Sequence, residues 1–142
     1  MRSENVNFAF GDLADHWWDT QGPMQVLHAM NQPRFQYIAS HADLWQKKVL
    51  DLGCGAGILS EALKRQGADL TAVDQAPELI QTAKAHANTQ NLEINYQMAE
   101  ATSFCLTPEN QAAFDVITCM ELIEHVPNPQ ALIQARLQAL KP

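Results

Sequence analysis

A short apolar run, Val49-Leu50-Asp51-Leu52, leads without a break into Gly53-Cys54-Gly55-Ala56-Gly57 and then into Ile58, Leu59, Ala62 and Leu63 at helical spacing. Few folds accept a strand that meets three alternating glycines and turns at once into a helix, because such a turn needs positive φ and close backbone approach. Lys64 and Arg65 in the last helical turn, with Gly67 just beyond, predict where that helix stops. Leu70 to Val73 read as a second strand ending in Asp74, and Pro77 opens a second helix through about Asn88. Ile94, Tyr96 and Met98 alternate as a third strand, and Phe114 to Cys119 form a fourth. Asn128 and Pro129 open a last helix whose inward face is expected to carry Leu132, Ile133, Leu137 and Leu140. Strands alternating with helices imply an α/β chain built on a doubly wound, mostly parallel sheet. Ahead of it, residues 1–46 read as an N-terminal helical cap that holds all three tryptophans, leaving 47–142 as the sheet domain.

Ligands of such sheets bind at the carboxyl ends of the strands, where the strand order reverses, so the turn after the first strand is the candidate site. Its glycines follow G-x-G-x-G rather than the dinucleotide pattern G-x-G-x-x-G, and Ile58 stands where the third glycine of that pattern belongs. Asp51, just before the turn, would repel a pyrophosphate but favour an ammonium or sulfonium. Asp74 lies 21 residues after Gly53, the spacing from which an acid accepts hydrogen bonds from ribose hydroxyls. A ligand with a ribose and a cationic tail but no phosphate fits S-adenosylmethionine, and the same features disfavour a nicotinamide oxidoreductase. The plainer alternative is a tight turn whose glycines supply positive φ and whose Asp51 is only a cap.

Composition narrows the function classes. The 142 residues hold 9 Lys+Arg against 16 Asp+Glu, a formal charge of -7, and no basic cluster larger than a pair, which argues against nucleic acid as a partner. Three cysteines, Cys54, Cys105 and Cys119, with no C-x-x-C spacing indicate neither a disulfide framework nor a zinc site and point to a reduced, intracellular setting. The first residues carry an acid and no apolar stretch of signal type. No apolar run approaches the ~20 residues that span a bilayer.

Asp51-Leu52-Gly53-Cys54-Gly55-Ala56-Gly57 together with Val73-Asp74 resembles the class I S-adenosylmethionine-dependent methyltransferases. The resemblance implies a Rossmann-like, mostly parallel sheet of order 3-2-1-4, with the later strands of the seven-stranded family sheet missing from this chain. It also implies that the backbone at Gly53 and Gly55 approaches the methionine part of the cofactor, that Asp74 holds the ribose, and that residues 99–101 lie near the adenine. Trp17-Trp18-Asp19, Gly22, Leu27-His28, Asn31, Arg34 and Tyr37-Ile38 are similar to the N-terminal signature of the ubiquinone biosynthesis O-methyltransferases. The family usually reads N-P-x-R, whereas here Asn31-Gln32-Pro33-Arg34 moves the proline by one and keeps the arginine, which the resemblance assigns to the cofactor's carboxylate. Without the resemblance, Trp17, Trp18 and Tyr37 read as the apolar face of a helix packed on the sheet.

The segment Thr118 to Pro127 follows the fourth strand, where a methyl acceptor belongs. If residues 121–125 are helical, Glu121, Glu124 and His125 share one face, a set oxygen-rich enough for a divalent ion such as Mg2+. The alternative is a solvated ion pair with no metal, in which case His125 is the candidate catalytic base. The E-x-x-E-H pattern resembles the family's metal segment, and Met120 matches a residue that contacts the cofactor. The implied substrate is a polyprenylated phenol or quinol, methylated on oxygen. With it come a cytoplasmic location, peripheral contact with the inner membrane and association with other ubiquinone-biosynthesis proteins. The chain stops at Leu140-Lys141-Pro142, where the family continues into a fifth strand, so the resemblance covers about the first three-fifths of a family member.

Overall fold

The computed structural model describes residues 13–120 and 122–142. Four parallel strands, β1 (Lys48–Leu52), β2 (Asp69–Asp74), β3 (Asn95–Met98) and β4 (Val116–Cys119), form one sheet of order β3-β2-β1-β4. The connecting helices are α1 (Gln25–His41), α2 (Ile58–Arg65), α3 (Pro77–Thr89), α4 (Ala101–Leu106) and α5 (Pro129–Ala139). Single 3-10 turns occur at Ala14–His16, Pro108–Asn110 and Ile123–His125.

β1 is buried from Val49 to Leu52, as a strand flanked on both faces must be. Its side chains alternate between two cores. Val49 packs with Ile38, Leu63 and Leu70, under α1 and α2. Leu50 and Leu52 turn the other way, toward Phe104 of α4 and Leu132 of α5. Ala72 of β2 and Tyr96 of β3 pack under α3 against Ile80 and Ala83. α2 and α3 therefore sit on one face while α4 and α5 cover the other, and the winding changes direction at β1, between β2 and β4.

Three expectations need correction. Residues 122–125 do not form a regular helix: Ile123–His125 make one 3-10 turn, because Pro127 disfavours helical backbone at Val126 and leaves no room for a second turn. α5 buries Leu132, Ala135 and Ala139, while Leu137 is 60% exposed. The alanines bring the helix close to the sheet, and that selects the inward face over the larger leucines. Finally, Trp17 and Trp18 lie after a 3-10 turn rather than on a helix face.

Candidate active site

The sheet leads into a cavity of about 710 Å³ at its carboxyl edge, lined by the glycine turn, the end of β2, the start of α4, the segment after β4 and α1. Its floor is the turn itself. Gly53 and Cys54 both donate their N–H groups to the Val73 carbonyl, at 2.9 and 3.0 Å, which holds the turn across the top of β2. Gly55 and Gly57 have φ of 57° and 96°. A Cβ at Gly55 would stand 2.9 Å from Cζ2 of Trp17, and one at Gly57 would collide with the Tyr96 hydroxyl. Both positions are thus closed to other residues by backbone conformation and by packing.

Asp74 caps the second strand with both oxygens. Its Oδ2 accepts the Gly55 N–H at 3.0 Å and its Oδ1 the Ala76 N–H at 2.9 Å. Each oxygen keeps a further lone pair, and the side chain lines the cavity. Burial raises its pKa above the ordinary carboxylate value, against the lowering effect of those N–H donors.

Asp51 lies deeper and is 2% exposed. Ser60 of α2 donates to its Oδ2 at 2.7 Å, and Thr118, its register partner on β4, donates to Oδ1 at 2.9 Å. Burial is the dominant influence and pushes the carboxyl up to about 6, with the two hydroxyls working the other way. It is more than a surface cap: it is a desolvated acid on the cavity lining, where a positive ligand group would be strongly favoured. Ser60 and Thr118 were not legible as site residues, because only the pairing of β1 with β4 brings Thr118 opposite Asp51.

Arg34 of α1 reaches the same cavity, half-buried, with its guanidinium 3.9 Å from the Met30 sulfur. Gly53, Met120 and His125 also line it. Ala99, Glu100 and Ala101 stand on the far wall, where α4 begins and Glu100 caps it by accepting the Thr102 and Ser103 N–H groups. The structure brings together Arg34, Asp51, Gly53, Gly55, Asp74, Met120 and His125 around one space. Glu121 lies outside the described residues, and Glu124 does not line the cavity. Glu124 stands beside His125, with Oε1 3.8 Å from Nε2 and both side chains about half exposed. Among the described residues no three His, Cys, Asp or Glu side chains gather as a metal site.

Trp17 and the first turn of α1 supply walls that composition alone did not assign. Trp17 is 5% exposed and closes one side; Met24, Val26 and Leu27 continue it. α1 carries one formal charge, Arg34, in 17 residues, yet exposes Val26 (61%), Met30 (38%) and Tyr37 (64%) at spacings of four and seven. Such an exposed helix is expected to be polar on its outer face.

Residues 32–142 match the family described as methyltransferase domain. A ubiquinone biosynthesis O-methyltransferase from Xanthomonas oryzae is 44% identical over 133 residues, covering 94% of this chain and 55% of the relative. One of the same name from Xanthomonas campestris is also 44% identical, with the same coverage. The chain therefore spans about half the length of the curated relatives it matches. Among solved structures, the YcgJ protein from Bacillus subtilis aligns with a TM-score of 0.69 at 25% identity, over 75% of this chain and 45% of that one. The magnesium protoporphyrin IX methyltransferase of Synechocystis, solved with S-adenosylmethionine bound, aligns with a TM-score of 0.77 over 99% of this chain and 72% of that one. At 17% identity the latter likeness is one of fold.

Proposed function

From the premise that this chain belongs to the methyltransferase domain family, we propose that its cavity binds S-adenosylmethionine and that the protein methylates a phenolic oxygen on a polyprenylated substrate of ubiquinone biosynthesis. The observation that carries the reading is the pairing of two acids on one cavity: Asp74 at its rim, with lone pairs to spare, and Asp51 on its floor. The first suits ribose hydroxyls and the second a positive charge, and about 710 Å³ is an ordinary size for a cofactor pocket. Arg34, on the lining of the same cavity, is the residue we assign to the carboxylate at the amino-acid end. The 44% identity to the Xanthomonas proteins supports the choice of substrate class, and the charge-poor, apolar α1 bordering the cavity suits a ligand with a long hydrocarbon tail. A peripheral contact with the inner membrane would present that helix to substrate dissolved in lipid.

The cofactor supplies a methyl group on a sulfonium, displaced in line by the acceptor oxygen. What remains for the protein is to orient that oxygen and remove its proton. A phenol of pKa ~10 is only about one part in a thousand ionised at neutral pH, a deficit of roughly 4 kcal/mol. His125 lines the cavity beyond β4 and is the residue we assign as the base. A second reading, in which Glu121, Glu124 and His125 would hold a divalent ion such as Mg2+ that would supply Lewis-acid stabilisation of the phenolate, finds no support among the described residues, where Glu124 stands off the cavity and no metal cluster forms. Turnover lost on EDTA treatment and restored by Mg2+ would establish that second reading, and turnover untouched by chelation removes it.

Titration calorimetry tests the cofactor assignment. Wild type should bind S-adenosylmethionine, and Asp74→Ala should weaken binding by about tenfold or more, since two charge-assisted hydrogen bonds are lost. Equal affinity in the two proteins refutes the ribose role. Transfer of labelled methyl to a short-chain prenylated catechol tests the reaction itself, and no transfer by the cofactor-loaded protein refutes it.

A further inference from the structure

Outside the cavity lies one polar chain that the proposed chemistry does not use. Glu61 of α2 is fully buried. Its Oε2 meets Nδ1 of His86, on α3, at 2.5 Å, and its Oε1 accepts from Arg65 at 3.3 Å. The His86 ring lies flat on the Trp18 indole, with centroids 3.6 Å apart and planes 3° from parallel. Trp18 also meets His28 in an edge arrangement, with centroids 5.6 Å apart, and its Nε1–H donates to the Ala56 carbonyl at 2.8 Å. Ala56 stands in the glycine turn, between Gly55 and Gly57. The chain thus begins on the helix that leaves the turn, passes through α3 and the N-terminal segment, and returns to the turn.

A buried polar contact of this kind is weak evidence for added stability, because desolvation consumes much of the attraction. What it fixes well is orientation. The Glu61 hydrogen bond sets the imidazole plane, the imidazole sets the indole plane, and the indole donor is aimed at one carbonyl. The neighbouring residue, Trp17, is the cavity wall against Gly55, and its own carbonyl is held by His28 Nε2 at 2.8 Å.

We propose that Glu61 and His86 are positioning residues for the cofactor cavity, acting through Trp18 to hold the Trp17 wall and the glycine turn in register. This rests on the reading of the cavity as an S-adenosylmethionine site. The relay should act on affinity for the adenosyl ligand without touching it.

Calorimetry with S-adenosylmethionine on a double-mutant cycle tests it. His86→Ala and Trp18→Phe should each weaken binding by about tenfold, the size of one lost aimed hydrogen bond. The double variant should lose little more than either single one, because both break the same relay. Losses that simply multiply, or single variants that bind like wild type, overturn the proposal. Ala87→Gly, a buried change one residue away on α3, controls for general loosening of the helix. It should keep wild-type affinity, and a loss equal to that of His86→Ala would show that the effect is only structural. If wild type itself binds no S-adenosylmethionine, the functional reading fails instead. The relay is then read without ligand, by acrylamide quenching of Trp17 and Trp18 in a Trp45→Phe background: His86→Ala should expose them, and unchanged quenching refutes the relay.

Discussion

Asp51 shows how one residue can serve the fold and the ligand in opposite ways. Its carboxyl titrates near 6 in the folded chain against 3.8 when unperturbed, so the folded state holds the proton more tightly than the unfolded one. The associated stability is present at low pH and is lost as pH rises from about 4 to about 6, on the order of 3 kcal/mol for a shift of roughly two units. Asp51→Asn should flatten that part of the stability profile, as chemical denaturation across the range would show; an unchanged slope refutes it. A cationic ligand reverses the preference by favouring the ionised acid. Wild-type affinity for S-adenosylmethionine should therefore climb as pH rises through about 6, and the climb should vanish in Asp51→Asn. Gly57 makes a simpler case. Gly57→Ala places a Cβ at φ 96° and against the Tyr96 hydroxyl, so thermal melts should show a loss of at least ~1–2 kcal/mol. Adding Tyr96→Phe should recover the part due to the collision and leave the conformational part.

At the scale of elements, much of the architecture was legible because parallel strands buried on both faces must be apolar runs. β1 from Lys48, β2 ending at Asp74 and the Pro77 start of α3 all appear within a residue or so of where pattern placed them. The short α4 was not legible: its cap is Glu100, a residue less usual at that position than Ser, Thr, Asp or Asn, and it spans only Ala101–Leu106. Asn128 is the opposite case, a cap readable from sequence whose Oδ1 accepts the Ala131 N–H at 3.1 Å. Asn128→Ala should cost about 1 kcal/mol in a denaturant melt, whereas Leu137→Lys, on the exposed face of α5, should cost almost nothing. At the site, residues next to glycines or strand ends were found from spacing, while Ser60, Thr118 and Trp17 depend on contacts between distant segments.

For the whole molecule, the cavity joins segments far apart in the described chain, from Trp17 and α1 to the segment after β4. Bound ligand would therefore stabilise the fold as a unit, by about 2.7 kcal/mol at a hundred times its dissociation constant, and the melting temperature should rise accordingly with S-adenosylmethionine concentration. A melting temperature indifferent to the ligand contradicts the proposed site. The net charge of -7 bears on partners at the same scale, since it opposes close approach to an anionic surface. No helix among the described residues is long and apolar enough to cross a membrane.

The reversal of winding at β1 also orders events in time. β1 finds β2 through a short local crossover, but its other neighbour is remote: Lys48 donates its N–H to Asp115 across 67 residues. Closing so long a loop is slow compared with local pairing. During folding the half that carries the glycine turn and Asp74 should form first, with the edge bearing Thr118, Met120 and His125 arriving later. On that schedule a nascent chain completes the turn proposed to grip a nucleoside before the edge proposed to act on one.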